Sequence, residues 1–312
     1  MNFLEFARAH GLIVDDVVAD GLWHRVPTED HPRKRNGALK LAADGRIGWI
    51  QDHATHPEPL TWRPDRETVI PIDFAAIARR RAEARRALVD ATQAARRFYA
   101  DCKPLQGGHP YLESHGLRMD GCFGLRIDGD GWLVVPVMLD RNLMSVQRIG
   151  PDGEKRFWPG ASVKAASYRI DRVEASITVL CEGLATGLAV FVAAPLTRVV
   201  VCFDAGNLPR VAIPRRGLVV VAADNDHGTQ ARLGHNPGME AAQKAADALG
   251  CGVAAPAGIG GTDWCDFRRE RLAGLMVARP DAREGDLRRA VDAEVAAAMM
   301  RCAKFLRPQL TA

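Results

Sequence analysis

The chain has 312 residues, of which 47% are hydrophobic and 26% charged, a balance typical of a globular protein with more than one domain and not of a disordered chain. No apolar run reaches the roughly 18 residues that a membrane helix needs, and the charged N-terminal residues differ from a signal peptide. Lysine and arginine exceed aspartate and glutamate by 42 to 38, so the net charge of +4 permits a nucleic-acid partner without requiring one.

The seven cysteines contain no CxxC pair, and several lie in apolar runs. An odd number of such thiols is typical of a reducing cytoplasm and does not indicate a disulfide framework or a zinc ribbon. We therefore expect a cytoplasmic protein without zinc and without a membrane partner.

Residues 1–70 predict a small β-rich module. Short strands are indicated in GLWHRVPTE, GALKLAADGRIGWIQD and PLTWRPD, separated by glycine, proline and aspartate turns, with a basic loop at 31–37. Four histidines are scattered here: His24, His31, His53 and His56. Such a scatter is either plain surface, its commoner meaning, or a metal site.

Residues 73–104 predict a long basic connector helix, because the segment is rich in alanine and arginine and lacks glycine and proline before Pro104. Asp73 is the predicted N-terminal cap. The arginines are Arg79, Arg80, Arg81, Arg85, Arg86, Arg96 and Arg97. They indicate either a solvated face or a surface for nucleic acid.

Residues 105–172 predict a small α+β subdomain. A short helix is indicated in HPYLESHGL, ending at Gly116, and strands are indicated in GWLVVPVML, LMSVQRIG and KRFWPG. Trp132, Phe157 and Trp158 either stack on bases or pack in the core, and core packing is favoured for Trp132.

Residues 173–268 predict an α/β domain with a Rossmann-like parallel sheet and flanking helices. Its strands, in ITVLCEG, RVVVCFD, GLVVVAADND and CGVAAP, are apolar throughout and alternate with helices in LATGLAVFVAA and GMEAAQKAADALG. Residues 269–312 form a tail whose composition predicts helix over 268–306.

Acidic residues follow the strands of this predicted sheet. Glu182 comes directly after the first strand, Asp224 and Asp226 come after the third, and Asp263 and Asp266 come after the fourth. Since ligands collect beyond the carboxyl ends of parallel strands, we expect these side chains to face one crevice and to share a divalent cation. The alternative for each aspartate is a helix cap, and for Asp263 and Asp266 the two readings are equally supported.

Residues near these acids have roles that stay open. Asn225, His227 and Asn236 shape the loop over the crevice without being catalytic. The glycines Gly228, Gly234 and Gly238 either cradle phosphate or simply serve the turns that a loop of this length needs.

The ordered set of strand-Glu-Gly, strand-DxD and strand-DxxD resembles the Toprim domain, which bacterial-type primases, topoisomerases, OLD-type nucleases and recombination proteins share. The stretch at about 174–266 matches, with Glu182 at the family's glutamate and Asp224 and Asp226 at its DxD. Residues 109–170 resemble the subdomain that precedes Toprim in DnaG-type primases. The segment NDHG…NPGMEAAQKAADALG…TDWCDF is similar to the Toprim regions of phage and plasmid primase-helicases.

The resemblance implies metal-dependent nucleotidyl transfer that makes short primers on single-stranded DNA. It assigns catalysis to Glu182, Asp224 and Asp226. The same three residues, with Asp263 and Asp266, are the implied ligands of Mg²⁺ or Mn²⁺. The implied nucleotide-binding or template-binding residues are Arg148, Lys155 and Arg156. The alternative is that they are ordinary charged residues on the exposed face of a strand.

The sequence also departs from these primases. It has no four-ligand Cys/His set at the position of their zinc ribbon, Thr186 stands where many primases have an aspartate, and no GxxxxGK[ST] helicase motif occurs. The missing Cys/His set affects what can be expected of primer initiation, and Thr186 affects one of the expected metal-binding positions. The missing helicase motif excludes a fused primase-helicase within the given sequence.

We therefore expect a DnaG-like primase of a mobile genetic element, acting on single-stranded template and nucleoside triphosphates, with a replicative helicase or a mobile-element replication protein as a further partner. Two alternatives remain: a Toprim metal-dependent nuclease using the same carboxylates, and a non-catalytic Toprim nucleic-acid-binding module. The sequence does not distinguish ribonucleotide from deoxynucleotide use.

Overall fold

The computed structural model describes residues 1–64, 74–117, 123–214 and 217–306. The chain divides into two compact units, Met1–Arg86 and Ala87–Ala312. Across the described residues, no helix is long and apolar enough to cross a membrane. The six cysteines among them are free thiols, all buried except the half-buried Cys302; Cys122 lies outside the described residues.

The first unit combines one helix with an antiparallel sheet, and the predicted strands are present. The elements are α1 (Phe3–Ala9) and, in sheet order, β1 (His24–Val26), β2 (Gly37–Leu41), β3 (Gly48–Asp52) and β4 (His56–Trp62). Asn2 and Glu5 form a capping box that begins α1. The ring of Phe3 packs against Trp62, with centroids 5.4 Å apart. Gly48 permits this packing, since a Cβ there would lie 2.3 Å from the Phe3 ring.

The histidines of this unit build no metal site among the residues that the structure describes, because no three His, Cys, Asp or Glu side chains there are placed to hold an ion. His24 instead contacts both carboxylate oxygens of Asp20 at 3.0 Å.

The predicted basic helix is α2 (Phe74–Asp101); its predicted cap, Asp73, lies outside the described residues. Every side chain from 78 to 90 is exposed, whereas Thr92 and Ala95 further along are buried. The arginine-rich part of α2 therefore has no core-facing side, and its alanine and arginine content accounts for its helical state.

The next part of the chain forms an antiparallel sheet that contains the predicted strands. In sheet order its strands are β5 (Lys103–Pro104), β6 (Arg126–Ile127), β7 (Leu133–Leu139), β8 (Asn142–Ile149) and β9 (Lys155–Phe157), with the short helix α3 (Pro110–Ser114) between β5 and β6. In β7, Val135 and Val137 pack into the main core while Val134 packs on the opposite face with Cys102 and Val146. Both faces of this sheet are thus covered.

The largest sheet has the predicted parallel centre. In sheet order its strands are β10 (Tyr168–Ile170), β12 (Thr197–Val201), β11 (Ile177–Cys181), β13 (Gly217–Ala222) and β14 (Gly252–Ala254), and β15 (Lys304–Leu306) also pairs with β13. The strands β11 to β14 run parallel, whereas β10 and β15 are antiparallel to their neighbours.

Helices cover both faces of this sheet. They are α4 (Leu184–Ala193), a 3₁₀ helix (Ala205–Arg210), α6 (Pro237–Leu249), α7 (Trp264–Ala278) and α8 (Glu284–Cys302). A further short helix between β13 and α6, α5 (His227–Leu233), has no buried residue. The main core contains side chains of α4, α7 and α8, whereas α6 and the 3₁₀ helix contribute to the core on the other face. The predicted α/β fold class is therefore confirmed. The division of the sequence into five modules stays a prediction.

The C-terminal tail differs from the continuous helix that the sequence predicts over 268–306. Helix α7 ends at Ala278, Pro280 interrupts the helical pattern, and α8 begins only at Glu284. The tail then forms β15, which pairs with Gly217–Val219. Because β14 pairs only with residues 220–222 of β13, the first half of that strand is open to β15.

The buried side-chain amide of Asn207 links the loop before β10 to the residue that follows β12. Asn207, 1% exposed, accepts a hydrogen bond from the Ala165 amide at 2.7 Å. Its Nδ2 donates to the carbonyls of Ala166 at 2.7 Å and Cys202 at 3.0 Å. The loop before β10 is thereby held against the end of β12.

Candidate functional site

Two neighbouring parallel strands bring the predicted acidic residues to one edge of the sheet. Strands β11 and β13 pair in register, with Cys181 opposite Ala222. Glu182 follows the first directly, and Asp224 follows the second after one further residue. The backbone geometry therefore brings Glu182 and Asp224 to one edge of the sheet, and their sharing of one crevice and one cation stays a prediction.

Glu182 lies half-buried in a negative environment. Burial raises the pKa of its carboxyl, and the charges of Asp204 and Asp226 raise it further, while Lys155 acts in the opposite direction. Asp204 follows β12 and was not among the sequence-predicted residues. The signal was available, since it is an acidic residue just past a third apolar strand.

Asp224 is the most strongly perturbed carboxyl of the site. Burial raises its pKa to about 7, and the charges of Asp263, Glu182 and Asp226 add to the effect. The buried Thr186 opposes this by donating a hydrogen bond from Oγ1 to Asp224 Oδ1 at 3.1 Å. Thr186 thus contributes a neutral donor at the position where many primases have an aspartate.

Asp226 is held by the loop that follows it. Its Oδ2 accepts from the Gly238 amide at 3.0 Å, and its own amide donates to Asn236 Oδ1 at 3.0 Å. Asn236 is buried and also donates to Asn225 Oδ1 at 2.9 Å. These contacts support the loop-shaping role predicted for Asn225 and Asn236.

Gly238, in the first turn of α6, permits close packing against the segment that follows β13. A Cβ at this position would lie 2.4 Å from the Asp224 carbonyl oxygen and 3.0 Å from Asp226 Oδ2. By contrast, a Cβ at Gly228 in α5 would meet nothing within 4 Å. Of the two roles left open for these glycines, the contacts of Gly238 favour the structural one.

Asp263 and Asp266 both belong to the start of α7. Asp263 Oδ1 caps the helix by accepting from the Asp266 amide at 2.8 Å. Asp266 accepts from the Thr262 amide at 3.0 Å and pairs with Arg269 at 2.6 Å. Asp263 also raises the pKa of Asp224 and therefore lies close to the site, whereas both oxygens of Asp266 have local partners. Their predicted role as metal ligands stays a prediction.

The three predicted basic residues differ in their surroundings. Lys155 reaches the carboxylates, since its charge lowers the pKa of Glu182. Arg148 pairs with the buried Asp128 at 2.7 Å and with Asp130 at 3.1 Å, and Arg156 pairs with Glu154 at 2.8 Å. Of the three, Lys155 is the one whose charge affects the pKa of Glu182, and the predicted nucleotide-binding or template-binding role of all three stays a prediction.

The aromatic residues of the antiparallel sheet stack with these arginines. The guanidinium of Arg148 lies 4.9 Å from the Trp132 ring centroid, and that of Arg156 lies 5.1 Å from it. Trp158 packs on Phe98, with centroids 4.7 Å apart. Phe157 remains 37% exposed, so it is the more accessible candidate for stacking on a base.

Tyr111 is a second residue near the site that the sequence did not single out. It is buried at the start of α3, and the Lys155 ammonium lies 5.7 Å from its ring centroid. Burial raises the pKa of its hydroxyl, and the charges of Cys265, Asp263 and Asp224 contribute. Tyr111 therefore has the Lys155 ammonium over its ring, and its hydroxyl is within electrostatic range of Asp263 and Asp224.

Comparison with known proteins identifies the domain that carries this site. Residues 177–274 match the family model described as the Toprim domain. This stretch of the chain is therefore similar to Toprim domains, and it includes Glu182, Asp224 and Asp226.

Two curated relatives are DNA primases TraC of Escherichia coli. One is 29% identical over 283 residues, covering 80% of this chain and 19% of the relative. The other is 29% identical over 274 residues, covering 80% of this chain and 25% of the relative. The chain is thus similar to DNA primases over most of its length and spans at most a quarter of theirs.

Two solved structures are also similar. The primase fragment of the bacteriophage T7 primase-helicase has a TM-score of 0.35 and 10% identity, over 83% of this chain and 99% of that one. A T7 lagging-strand DNA polymerase complex with primase domains has a TM-score of 0.32 and 14% identity, over 54% and 86%. Because both TM-scores are low, the fold assignment rests on the Toprim match and the sheet topology.

The role of Gly238 is testable with a matched control. We expect Gly238→Ala to lower the free energy of unfolding by about 1–3 kcal/mol, because the new methyl group clashes with the Asp224 carbonyl. Gly228→Ala should leave it unchanged or raise it by up to about 1 kcal/mol, because alanine is the better helix former. Urea unfolding of the two variants measures both effects, and equal stabilities would contradict the packing role.

The raised pKa of Asp224 predicts a pH-dependent stability. Its pKa is about 7 in the folded protein against an ordinary 3.8, so the folded metal-free protein retains a proton that the unfolded chain releases. This stabilisation is complete below the unfolded pKa and is lost as the pH rises through about 7.

We therefore expect metal-free Asp224→Asn to be more stable than the wild type by about 1–3 kcal/mol at pH values near 8, and to match it near pH 4. Urea unfolding of both proteins across this range provides the measurement. A stability difference that stays constant with pH would show that Asp224 titrates normally.

Proposed function

We propose that this chain is the catalytic part of a DnaG-like primase, which makes short primers on single-stranded DNA by metal-dependent nucleotidyl transfer. The observation that carries the proposal is the in-register pairing of β11 and β13, which supports a joint role for Glu182, Asp224 and Asp226 just beyond the ends of these strands. The effect of these charges and of Lys155 on one another's pKa values supports it further. The Toprim match and the similarity to TraC primases support it.

The carboxylates fit a divalent cation such as Mg²⁺ or Mn²⁺. Their oxygens are the hard ligands that these ions prefer, and their mutual repulsion is what a cation relieves. Among the described contacts, Asp224 Oδ1 accepts a hydrogen bond from Thr186 and Asp226 Oδ2 accepts one from Gly238. The other carboxylate oxygen of each residue could therefore bind an ion.

The absence of a three-ligand group among the described residues agrees with the chemistry of Mg²⁺. This ion is usually held by one or two carboxylates together with water and substrate phosphates. Asp224 and Asp226 would be those carboxylates, and Asp263 would add negative charge beside them. When bound, the ion neutralises the charge of the triphosphate and polarises it.

Glu182 has the properties of a proton acceptor for the attacking hydroxyl. Burial and the charge of Asp204 raise its pKa above the ordinary value of a glutamate, and a higher pKa makes a carboxylate a stronger proton acceptor. Lys155 lies beside it and binds triphosphate or template oxygens, whereas Arg148 and Arg156 present stacked guanidinium groups around Trp132. Template and nucleoside triphosphates are therefore the proposed partners, with a helicase or a mobile-element replication protein as a further one.

Primer synthesis tests this proposal. Wild-type protein, mixed-sequence single-stranded DNA, labelled nucleotides and Mg²⁺ or Mn²⁺ should yield short labelled products. Glu182→Gln should reduce the rate about 100-fold or more, because it removes the proton acceptor and a negative charge. Glu174→Gln, an exposed glutamate of the same domain, is the matched control and should act as the wild type.

Wild-type rates from Glu182→Gln would contradict the assignment of the site. Binding of single-stranded DNA without any product would favour a non-catalytic module. Metal-dependent nicking of plasmid in the absence of nucleotides would identify a Toprim nuclease instead.

A further inference from the structure

The N-terminal unit contains a cavity of about 380 Å³ that the proposed catalysis does not use. Its walls come from the end of α1, the turn at residues 28–30, and strands β3 and β4. All of its lining residues belong to the first compact unit. A volume of this size falls within the range of small-ligand sites, roughly 300–1,000 Å³.

The polar wall of the cavity is acidic. Glu29 and Asp30 line its exposed part, and the buried Asp52 lines its inner part. Asp52 accepts hydrogen bonds from the Ala54 amide at 2.9 Å and the Thr55 hydroxyl at 2.8 Å. These bonds, the first above all, and the nearby His31 lower the pKa of Asp52. Its negative charge is therefore stable, and the wall attracts cations and repels phosphates.

A second and independent feature points to a ligand. Thr28 lines the cavity and is 2% exposed, yet its Oγ1 has no hydrogen-bond partner among the described residues. Backbone bridges to Leu12 and His31 hold Thr28 in place, and His31 Nδ1 in the same turn is also buried without a partner. Buried polar atoms are normally satisfied, so this turn lacks a polar group that it is built to contact.

The remaining wall is apolar. Leu12 and Ile50 are 2% and 1% exposed, and Leu60 lies beside them. Such a surface accommodates the methylene groups of a ligand while its charged end reaches the carboxylates, as the stems of lysine and arginine side chains do.

We propose that this cavity binds a protonated amine or guanidinium group carried on a short aliphatic stem. The charge contacts Asp52, Glu29 and Asp30, an N–H donates to the Thr28 hydroxyl, and the stem packs on Leu12 and Ile50. The same chemistry is offered by a free alkylamine and by a lysine or arginine side chain of another protein. This site stands independently of primer synthesis.

The test uses the full chain and n-butylammonium as the probe, with n-butanol as the neutral isostere and cytidine as a nucleobase probe. Titration followed by NMR or calorimetry gives each dissociation constant. We expect n-butylammonium to bind about tenfold or more tightly than n-butanol, and cytidine to bind no better than n-butanol. N-acetyl-lysine amide distinguishes the sources: affinity at least equal to that of n-butylammonium indicates a protein side chain, and weaker binding indicates a free amine.

Matched variants locate the binding. Glu29→Gln/Asp30→Asn should weaken n-butylammonium about tenfold, whereas Asp15→Asn/Glu58→Gln removes the same charge from exposed positions that do not line the cavity and should leave the affinity unchanged. Thr28→Val should weaken binding several-fold while the melting temperature stays equal or rises, since the unsatisfied hydroxyl is gone.

Three results would overturn the proposal. The first is equal affinity for n-butylammonium and n-butanol. The second is an affinity for n-butylammonium that the cavity variants leave unchanged, or that Glu29→Gln/Asp30→Asn and Asp15→Asn/Glu58→Gln weaken to the same extent. The third is preferential binding of cytidine, which would make the cavity a nucleobase site.

Discussion

The in-register parallel pairing of β11 and β13 is the constraint on which the site depends. It sets the ends of the two strands side by side, and the chain places a carboxylate just beyond each end. Burial is the main cause of the raised pKa of both Glu182 and Asp224, and the charges of the neighbouring carboxylates raise these pKa values further. The starts of three helices hold the carboxylates in place: the Thr186 hydroxyl of α4 donates to Asp224, the Gly238 amide of α6 donates to Asp226, and Asp263 caps α7.

The antiparallel sheet supplies the opposite charge. Lys155 at the start of β9 lowers the pKa of Glu182, and its ammonium lies 5.7 Å from the ring centroid of Tyr111. The arginines that the sequence also suggested are committed to local pairs, most firmly Arg148 with the buried Asp128. A basic residue on a neighbouring strand is thus not equivalent to one that faces the site, and only the three-dimensional structure separates the two.

Much of this arrangement was predictable from the sequence. Continuous apolar strands that alternate with helices indicated the parallel sheet, and an acidic residue after each strand indicated its functional edge. The same pattern included Asp204 after β12, although its relation to Glu182 depends on strand order, which the pattern does not reveal. Likewise, the close approach of Gly238 in α6 to the Asp224 carbonyl depends on tertiary packing, which the hydrophobic pattern of the sequence does not reveal.

The elements that escaped prediction are short. Helix α5 has seven residues and none of them is buried, so no apolar face marks it. Strand β15 has three residues at the end of a segment whose composition favours helix, and its conformation is set by the open half of β13. In both cases tertiary context outweighs local propensity.

We expect the metal-free carboxylate cluster to retain a proton on Asp224, whose pKa is about 7, and a bound divalent cation to displace that proton. Calorimetric titration with Mg²⁺ in two buffers of different ionisation enthalpy counts the protons released. Near pH 7 we expect the wild type to release about half a proton per ion bound, and Asp224→Asn to release none. Tight binding without proton release, or equal release from both proteins, would contradict the claim.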